Sequence, residues 1–372
     1  MSAGPIDFAL RPQSFADLPG WGDDDPSALF AALRACRRHI LQIKPYKTGS
    51  LGLTVGDLMP LLDAAEAAEP GNAAEARAFF EAHCRPFKVE RADGEPGFVT
   101  AFYEPEIDVS ATPGGEWKFP FYRRPDDLVD LDDGNRPSFL DPSYAFARQT
   151  ENGIEPYADR LAIDNGYLDG RGLEIAWAKS RIDVFFVHVQ GAARLRFPDG
   201  SLRRITYAAK AGHPFSPIGR LLIDRGEIAP ADISMQSIRA WLRAHPDEAD
   251  AVMSHNRSYI FFREAEVEDE ALGPVAAAKV PLVPGRALAV DRRIHTFGFP
   301  FYIHSRSLTH LDAGQPFQRL MLALETGTAI VGPARGDIFT GSGDEAGELA
   351  GTVRNAADFH ILIPRRAAER FR

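Results

Sequence analysis

The chain has 372 residues, 45% of them hydrophobic and 25% charged, enough for two domains and a sizeable core in an ordinary globular protein. Its formal net charge of -10, with no compensating basic stripe, argues against nucleic acid and against an anionic membrane surface as partners. A neutral polysaccharide or a small molecule is compatible with that balance.

In chain order, residues 1–24 read as loop, and residues 1–5 have neither the basic n-region nor the apolar core of a signal peptide. Asp25 reads as a helix N-cap with Pro26 at the first helical position, and Leu29, Leu33, Cys36 and Ile40 then recur at helical spacing. Two further helices are expected over 55–68 and 73–84, which places Cys36 and Cys84 on apolar helical faces as buried thiols rather than a disulfide scaffold. From Phe98 the pattern changes to short strands and turns, with Pro113, Pro120, Pro125, Pro137 and Pro142 marking long irregular connections. Pro198-Asp199-Gly200 reads as a hairpin turn, and helices return over 216–225 and 232–244, with Asp232 as the expected cap of the second. Residues 280–364 read again as strand and turn, and no run of 18 apolar residues occurs anywhere. Helices first, then strands, then a mixture predict an α+β fold with a mostly β core rather than alternating βαβ units.

The chemistry concentrates near the C-terminus. Asp337 stands among Gly332, Gly336, Gly341 and Gly343, beside the β-formers Ile338 and Phe339, so the segment reads as a Gly-rich turn carrying one carboxylate. Such a turn suits a general acid lining a groove, and equally an Asp that caps its own backbone. Asp291 and Glu325 each close a short apolar run, so three acids follow three predicted strand ends. Gln190, read at a strand end, and Lys210 with His213 are candidate donors to sugar hydroxyls, although a loop His commonly caps backbone instead. Trp177 and Trp241 read as core aromatics, with a sugar platform as the alternative. No metal-ligand spacing, phosphate loop or dinucleotide fingerprint occurs, so neither a metal nor a cofactor is expected.

These stretches resemble the membrane-bound lytic murein transglycosylase A family, whose C-terminal 3D module is named for three aspartates. Gly97-Phe98-Val99-Thr100-Ala101-Phe102-Tyr103-Glu104-Pro105 and residues 185–191, 207–215, 234–241 and 258–262 agree with it in one order, from about residue 18 to 364. The resemblance implies a double-psi β-barrel domain made from residues 1–105, with the N-terminal helices, and 263–372. A second β-domain over 106–262 is inserted, with a glycan groove between the two. It implies cleavage of the MurNAc–GlcNAc bond of peptidoglycan to 1,6-anhydro-MurNAc, with Asp337 as acid and then base. Asp291 and Glu325 become supporting acids whose charge would raise the Asp337 pKa. Thr100, Tyr103, Gln190, Lys210, Gly336 and Gly341 become substrate-binding residues. A periplasmic monomer, associated with the outer membrane and with cell-wall enzyme complexes, is the implied setting. The departures are Glu325 in place of Asp, Ala101-Phe102 for Gly-Tyr, Ala192-Ala193 for Ser-Gly, Ala211 for Asn and Ala287 for Ser. Because these remove polar groups, a glycan-binding protein of the same fold with little turnover, or a hydrolase, stays open as an alternative.

Overall fold

The computed structural model describes residues 7–132, 134–266 and 269–371. Residues 1–5, read for a signal peptide, lie outside the described residues. The chain divides into two compact units: Met1–Tyr103 with Asp269–Gly341 and Glu345–Arg372, and Glu104–Glu268 with Ser342–Asp344.

The first unit opens with β1 (Phe8–Pro12), a strand where loop was expected. It pairs antiparallel with β2 (Cys84–Arg91), and five residues ending in Pro carry too little alternation to announce an edge strand. Between them lie α1 (Leu29–Gln42), α2 (Val55–Ala67) and α3 (Ala73–His83). The expected Asp25 cap is present, its side chain accepting from the Ser27 N–H ahead of Pro26. Thr54 and Asp57 form a capping box on α2, and Asn72 caps α3. Cys84 is the first residue of β2 rather than part of a helix; it is buried all the same.

β3 (Gly97–Glu104) leads into the second unit. There the order is β4 (Glu106–Ser110), β5 (Phe119–Tyr122), β6 (Leu128–Asp130), β7 (Phe146–Thr150), β8 (Gly153–Glu155), the single turn α4 (Arg160–Ala162) and β9 (Glu174–Ala178). These are followed by α5 (Arg181–Gln190), β10 (Ala192–Arg196), β11 (Leu202–Lys210), α6 (Ile218–Asp224), α7 (Met235–Ala244), α8 (Pro246–Ser254) and β12 (Ile260–Ala265). A six-stranded sheet runs β12-β11-β10-β4-β9-β5, and β6, β7 and β8 form a three-stranded one. The expected hairpin around Gly200 joins β10 to β11. Gln190 ends α5 and is not at a strand end, because Ser180 caps the helix and Gly191 closes it in the left-handed conformation. Ser234, not Asp232, caps α7, through a reciprocal pair with Ser237.

The chain returns to the first unit with β13 (Ala287–Val290), β14 (Pro300–Ser305), β15 (Phe317–Glu325), β16 (Arg335–Ser342), α9 (Gly343–Gly351), β17 (Arg354–Pro364) and α10 (Arg365–Ala368). Helix α9 interrupts what was read as strand and turn. The sheet order is β1-β2-β17-β14-β15-β13-β16-β3, and β3 also pairs with β17. One apolar core covers this sheet and the N-terminal helices, with Phe80, Phe87, Phe301, Leu322, Phe339 and Ile361 among its buried residues. The fold is mixed α+β and mostly sheet.

Candidate active site

Asp337 is the third residue of β16, so it sits within a strand and not on a turn. Opposite it on β13 is Ala289, while Gly336 faces Val290. A Cβ on Gly336 would lie 2.8 Å from the Leu288 side chain and 3.0 Å from the Phe359 ring, so the glycine permits close packing beneath the acid. Gly341, at φ +129°, and Gly343, at φ +84°, take the left-handed backbone that turns the chain out of β16 into α9.

Thr100 of β3 donates its hydroxyl to Asp337 Oδ1. The guanidinium of Arg335, two residues before Asp337 on the same strand, donates from Nη2 to Thr100 Oγ1 at 2.7 Å. Its Nη1 donates to the Gly336 carbonyl, and its Cζ lies over the Phe98 ring, 5.4 Å from the ring centre. Burial pushes the Asp337 carboxyl above the ordinary carboxylate range; the Arg335 charge and the Thr100 hydrogen bond oppose that rise without cancelling it. The result is a carboxyl group that favours its protonated form more than an exposed Asp does.

Among the described residues, desolvation is the cause that raises the Asp337 pKa, and neither Asp291 nor Glu325 is among the groups that act on it. Asp291 takes both prongs of Arg293, at 3.0 and 2.8 Å, and accepts from the Gly332 N–H at 2.9 Å. Burial alone would raise its pKa, but those partners hold it below the usual range. Glu325 accepts from the N–H groups of Ala277, at 3.0 Å, and Thr326, at 2.8 Å, and burial pushes it up to about 7. Both carboxylates therefore tie loops to the ends of strands.

The expected binding residues divide. Thr100, Gly336 and Asp337 come together, and Thr100 commits its only proton to Asp337 instead of leaving it for a sugar. Tyr103 is buried with its ring against Gly347 of α9, where a Cβ would approach it to 2.6 Å. Gln190 and Lys210 belong to the second unit, and burial lowers the Lys210 pKa. His213 is structural: its Nε2 faces the Tyr157 carbonyl at 2.8 Å and must donate there, so Nδ1 accepts from the Tyr144 hydroxyl at 2.8 Å. Trp241 is buried and Trp177 half-buried.

Two constellations escaped the sequence. One is Arg335, whose only local signal is its place two residues before Asp337 on a strand, hence on the same face. The other lies in the second unit: fully buried Glu104 accepts from Arg194 Nε at 3.0 Å, Arg204 Nε at 2.6 Å and Ser342 Oγ at 2.7 Å. Among the described residues no group of three or more His, Cys, Asp or Glu could hold a metal ion, and no helix is long and apolar enough to cross a membrane.

Residues 98–263 match the MltA specific insert domain and residues 286–363 the 3D domain. The membrane-bound lytic murein transglycosylase A of Escherichia coli K12 is 35% identical over 268 residues, 71% of this chain and 64% of that protein. The match thus spans slightly less than two thirds of that curated relative. Among solved structures, a membrane-bound lytic murein transglycosylase from Agrobacterium tumefaciens superposes with a TM-score of 0.94 at 64% identity, covering 98% of this chain and 100% of that one. E. coli MltA with bound chitohexaose superposes with a TM-score of 0.66 at 28% identity, over 96% and 93% of the two chains. With both domain matches in register on the two units and a 64%-identical structure covered from end to end, the chain belongs to the membrane-bound lytic murein transglycosylase A family.

Proposed function

We propose that this protein is a peptidoglycan lytic transglycosylase in which Asp337 acts first as acid and then as base. The carrying observation is a half-buried carboxyl, desolvated enough that its surroundings favour the protonated form, with one oxygen already occupied by the Thr100 hydroxyl. Asp337 gives its proton to the bridging oxygen between MurNAc and GlcNAc as the C1–O bond breaks. The MurNAc C6 hydroxyl oxygen then bonds to C1, and its proton passes to the Asp337 carboxylate, which restores the acid. Atoms balance without water, and the product ends in 1,6-anhydro-MurNAc.

Membership of a family named for murein cleavage supports this reading, as does the chitohexaose bound in the E. coli relative. The closing pair between β3 and β17 makes a six-stranded ring within the eight-stranded sheet, which supports a double-psi barrel, with residues 106–262 proposed as the inserted domain. Gln190, Lys210, Tyr103, Gly336 and Gly341 remain proposed contributors to sugar binding. We propose work in the periplasm, at the outer membrane; the membrane-bound character in the relatives' names supports it.

Asp337→Asn tests the reaction. An amide can neither give nor take the proton, so turnover of purified sacculi should fall by about 10²–10⁴ or more while glycan binding persists. Wild-type fragments should be about 18 Da lighter than hydrolytic ones, the mass of a water that is not consumed. Reducing-end products would replace this reading with a hydrolase, and binding without fragments with a glycan-binding protein.

A further inference from the structure

We infer that Arg335 is a positioning residue that decides which oxygen of Asp337 carries the catalytic proton. That role rests on the proposed chemistry of Asp337 and on the donors and acceptors that Arg335, Thr100 and Asp337 bring together.

A guanidinium has only donors. The contact from Arg335 Nη2 to Thr100 Oγ1 therefore occupies a lone pair of the hydroxyl and prevents its proton from pointing back toward Arg335. That proton points along the other short contact, to Asp337 Oδ1. An oxygen that already accepts a hydrogen bond from Thr100 is the poorer place for a second proton. The exchangeable proton of Asp337 thus resides on Oδ2, and Oδ2 is the atom that meets both the bridging oxygen and the C6 hydroxyl.

Without Arg335 the Thr100 hydroxyl is free to rotate and accept from a proton on Oδ1, which splits the acid between two forms, one of them unproductive. The fork of Arg335 is itself anchored, Nη1 on the Gly336 carbonyl and its face on Phe98, so the whole relay is fixed from β16 and β3. The groups facing Asp337 are few: Ala289 opposite it on β13, Thr100 on β3 and, as the one charge acting on it among the described residues, Arg335.

The experiment measures kcat, KM and the pH dependence of sacculus digestion for Arg335→Met, Arg335→Lys, Thr100→Val, Thr100→Ser and the Arg335→Met/Thr100→Val pair, each checked for a wild-type unfolding transition. Arg335→Met should lower kcat about 10- to 100-fold with KM within about twofold, the size of effect a misplaced reacting group produces. It should also move the basic limb of the pH profile upward, since the opposing charge is gone. Arg335→Lys keeps the charge but not the two-pronged geometry, so kcat should fall while the basic limb stays. Thr100→Val should reproduce the loss and Thr100→Ser should restore most of it. The double variant should be no worse than about twofold below either single one, because both remove the same restraint. Wild-type kcat and pH profile in folded Arg335→Met, or fully additive losses in the double variant, would overturn the inference. If Arg335→Met does not fold, Arg335→Lys and the Thr100 pair decide it alone: unchanged kcat in Arg335→Lys, or no rescue by Ser, refutes it. An active Asp337→Asn would instead sink the reading of Asp337, which keeps the two failures distinct.

Discussion

Replacing Glu325 by Gln removes an ionisation that the fold resists. Glu325 ends β15, where burial outweighs two backbone hydrogen bonds and the charges of Lys279 and Arg292, pushing the carboxyl from 4.5 to about 7. At about 1.4 kcal/mol per pH unit, that rise comes to about 3 kcal/mol. The folded state holds more protons than the unfolded chain between pH 4.5 and about 7, so this residue makes stability fall as pH rises through that window. Below 4.5 the penalty is absent; above about 7 it is complete. The amide of Gln keeps one acceptor for the N–H groups of Ala277 and Thr326 and sets its own donors against the other, a loss of about 1 kcal/mol. The two curves should therefore cross: the variant about 1 kcal/mol less stable than wild type near pH 4.5, and about 2 kcal/mol more stable near pH 8.

Urea unfolding at four pH values, with the slope m held common to both proteins, reads this difference directly. A gap between variant and wild type that stays constant from pH 4.5 to 8 would refute the assignment of a desolvated, proton-favouring Glu325. The same variant should leave the pH–rate profile of murein digestion unchanged, because burial, Arg335 and Thr100 set the acidity of Asp337.

Glu104→Gln should cost about 3–5 kcal/mol in calorimetry, since it removes a fully buried carboxylate from between the guanidinium groups of Arg194 and Arg204. Breaking the exposed Arg220–Asp224 pair is the control and should cost no more than about 0.5 kcal/mol; equal losses would deny Glu104 its special burial. Cys36 and Cys84 are free and fully buried, and burial pushes both thiols up, Cys36 to about 11. Both should react slowly with a maleimide in the native state and rapidly in urea; fast native labelling of either would contradict the packing.

What the sequence made legible was local. Asp25-Pro26, Thr54 with Asp57, and Asn72 announce their helices because a cap and its N–H partner lie within three residues. The glycine frame of Asp337 is equally visible, since the close contacts at Gly336 and the positive φ of Gly341 and Gly343 exclude larger residues. Residues 185–190 were hidden by their own composition: two Phe and two Val favour a strand, and only Ser180 and Gly191 at the borders specify α5. Helix α9 was hidden by the same glycines that mark the site. The relay of Arg335 through Thr100 spans 235 residues of sequence, and the Glu104 cluster joins residues 90 and 100 positions apart. Contacts of that range depend on strand order, which no local pattern encodes.

In the proposed reaction, the placement of Asp337 within a strand would let one carboxyl serve both proton transfers. A carboxylate on a turn is solvated, accepts its own backbone N–H groups and keeps an acidity far below neutral. β16 instead pairs with β13, so the backbone beside Asp337 is already satisfied by the sheet and does not reach for its side chain. Ala289, directly opposite, is too small to cover the carboxyl, and Gly336 allows Leu288 and Phe359 to pack close beneath it. The acid is thereby desolvated from the protein side, while among the described residues only Oδ1 takes a side-chain hydrogen bond. Ala289 is itself buried, so enlarging it to Leu would overpack the strand beside the carboxyl, at a cost of about 1–3 kcal/mol. The expected outcome is a folded but destabilised protein whose murein digestion falls because the carboxyl is displaced. Wild-type turnover in that variant would mean that the packing at Ala289 does not hold Asp337 in place.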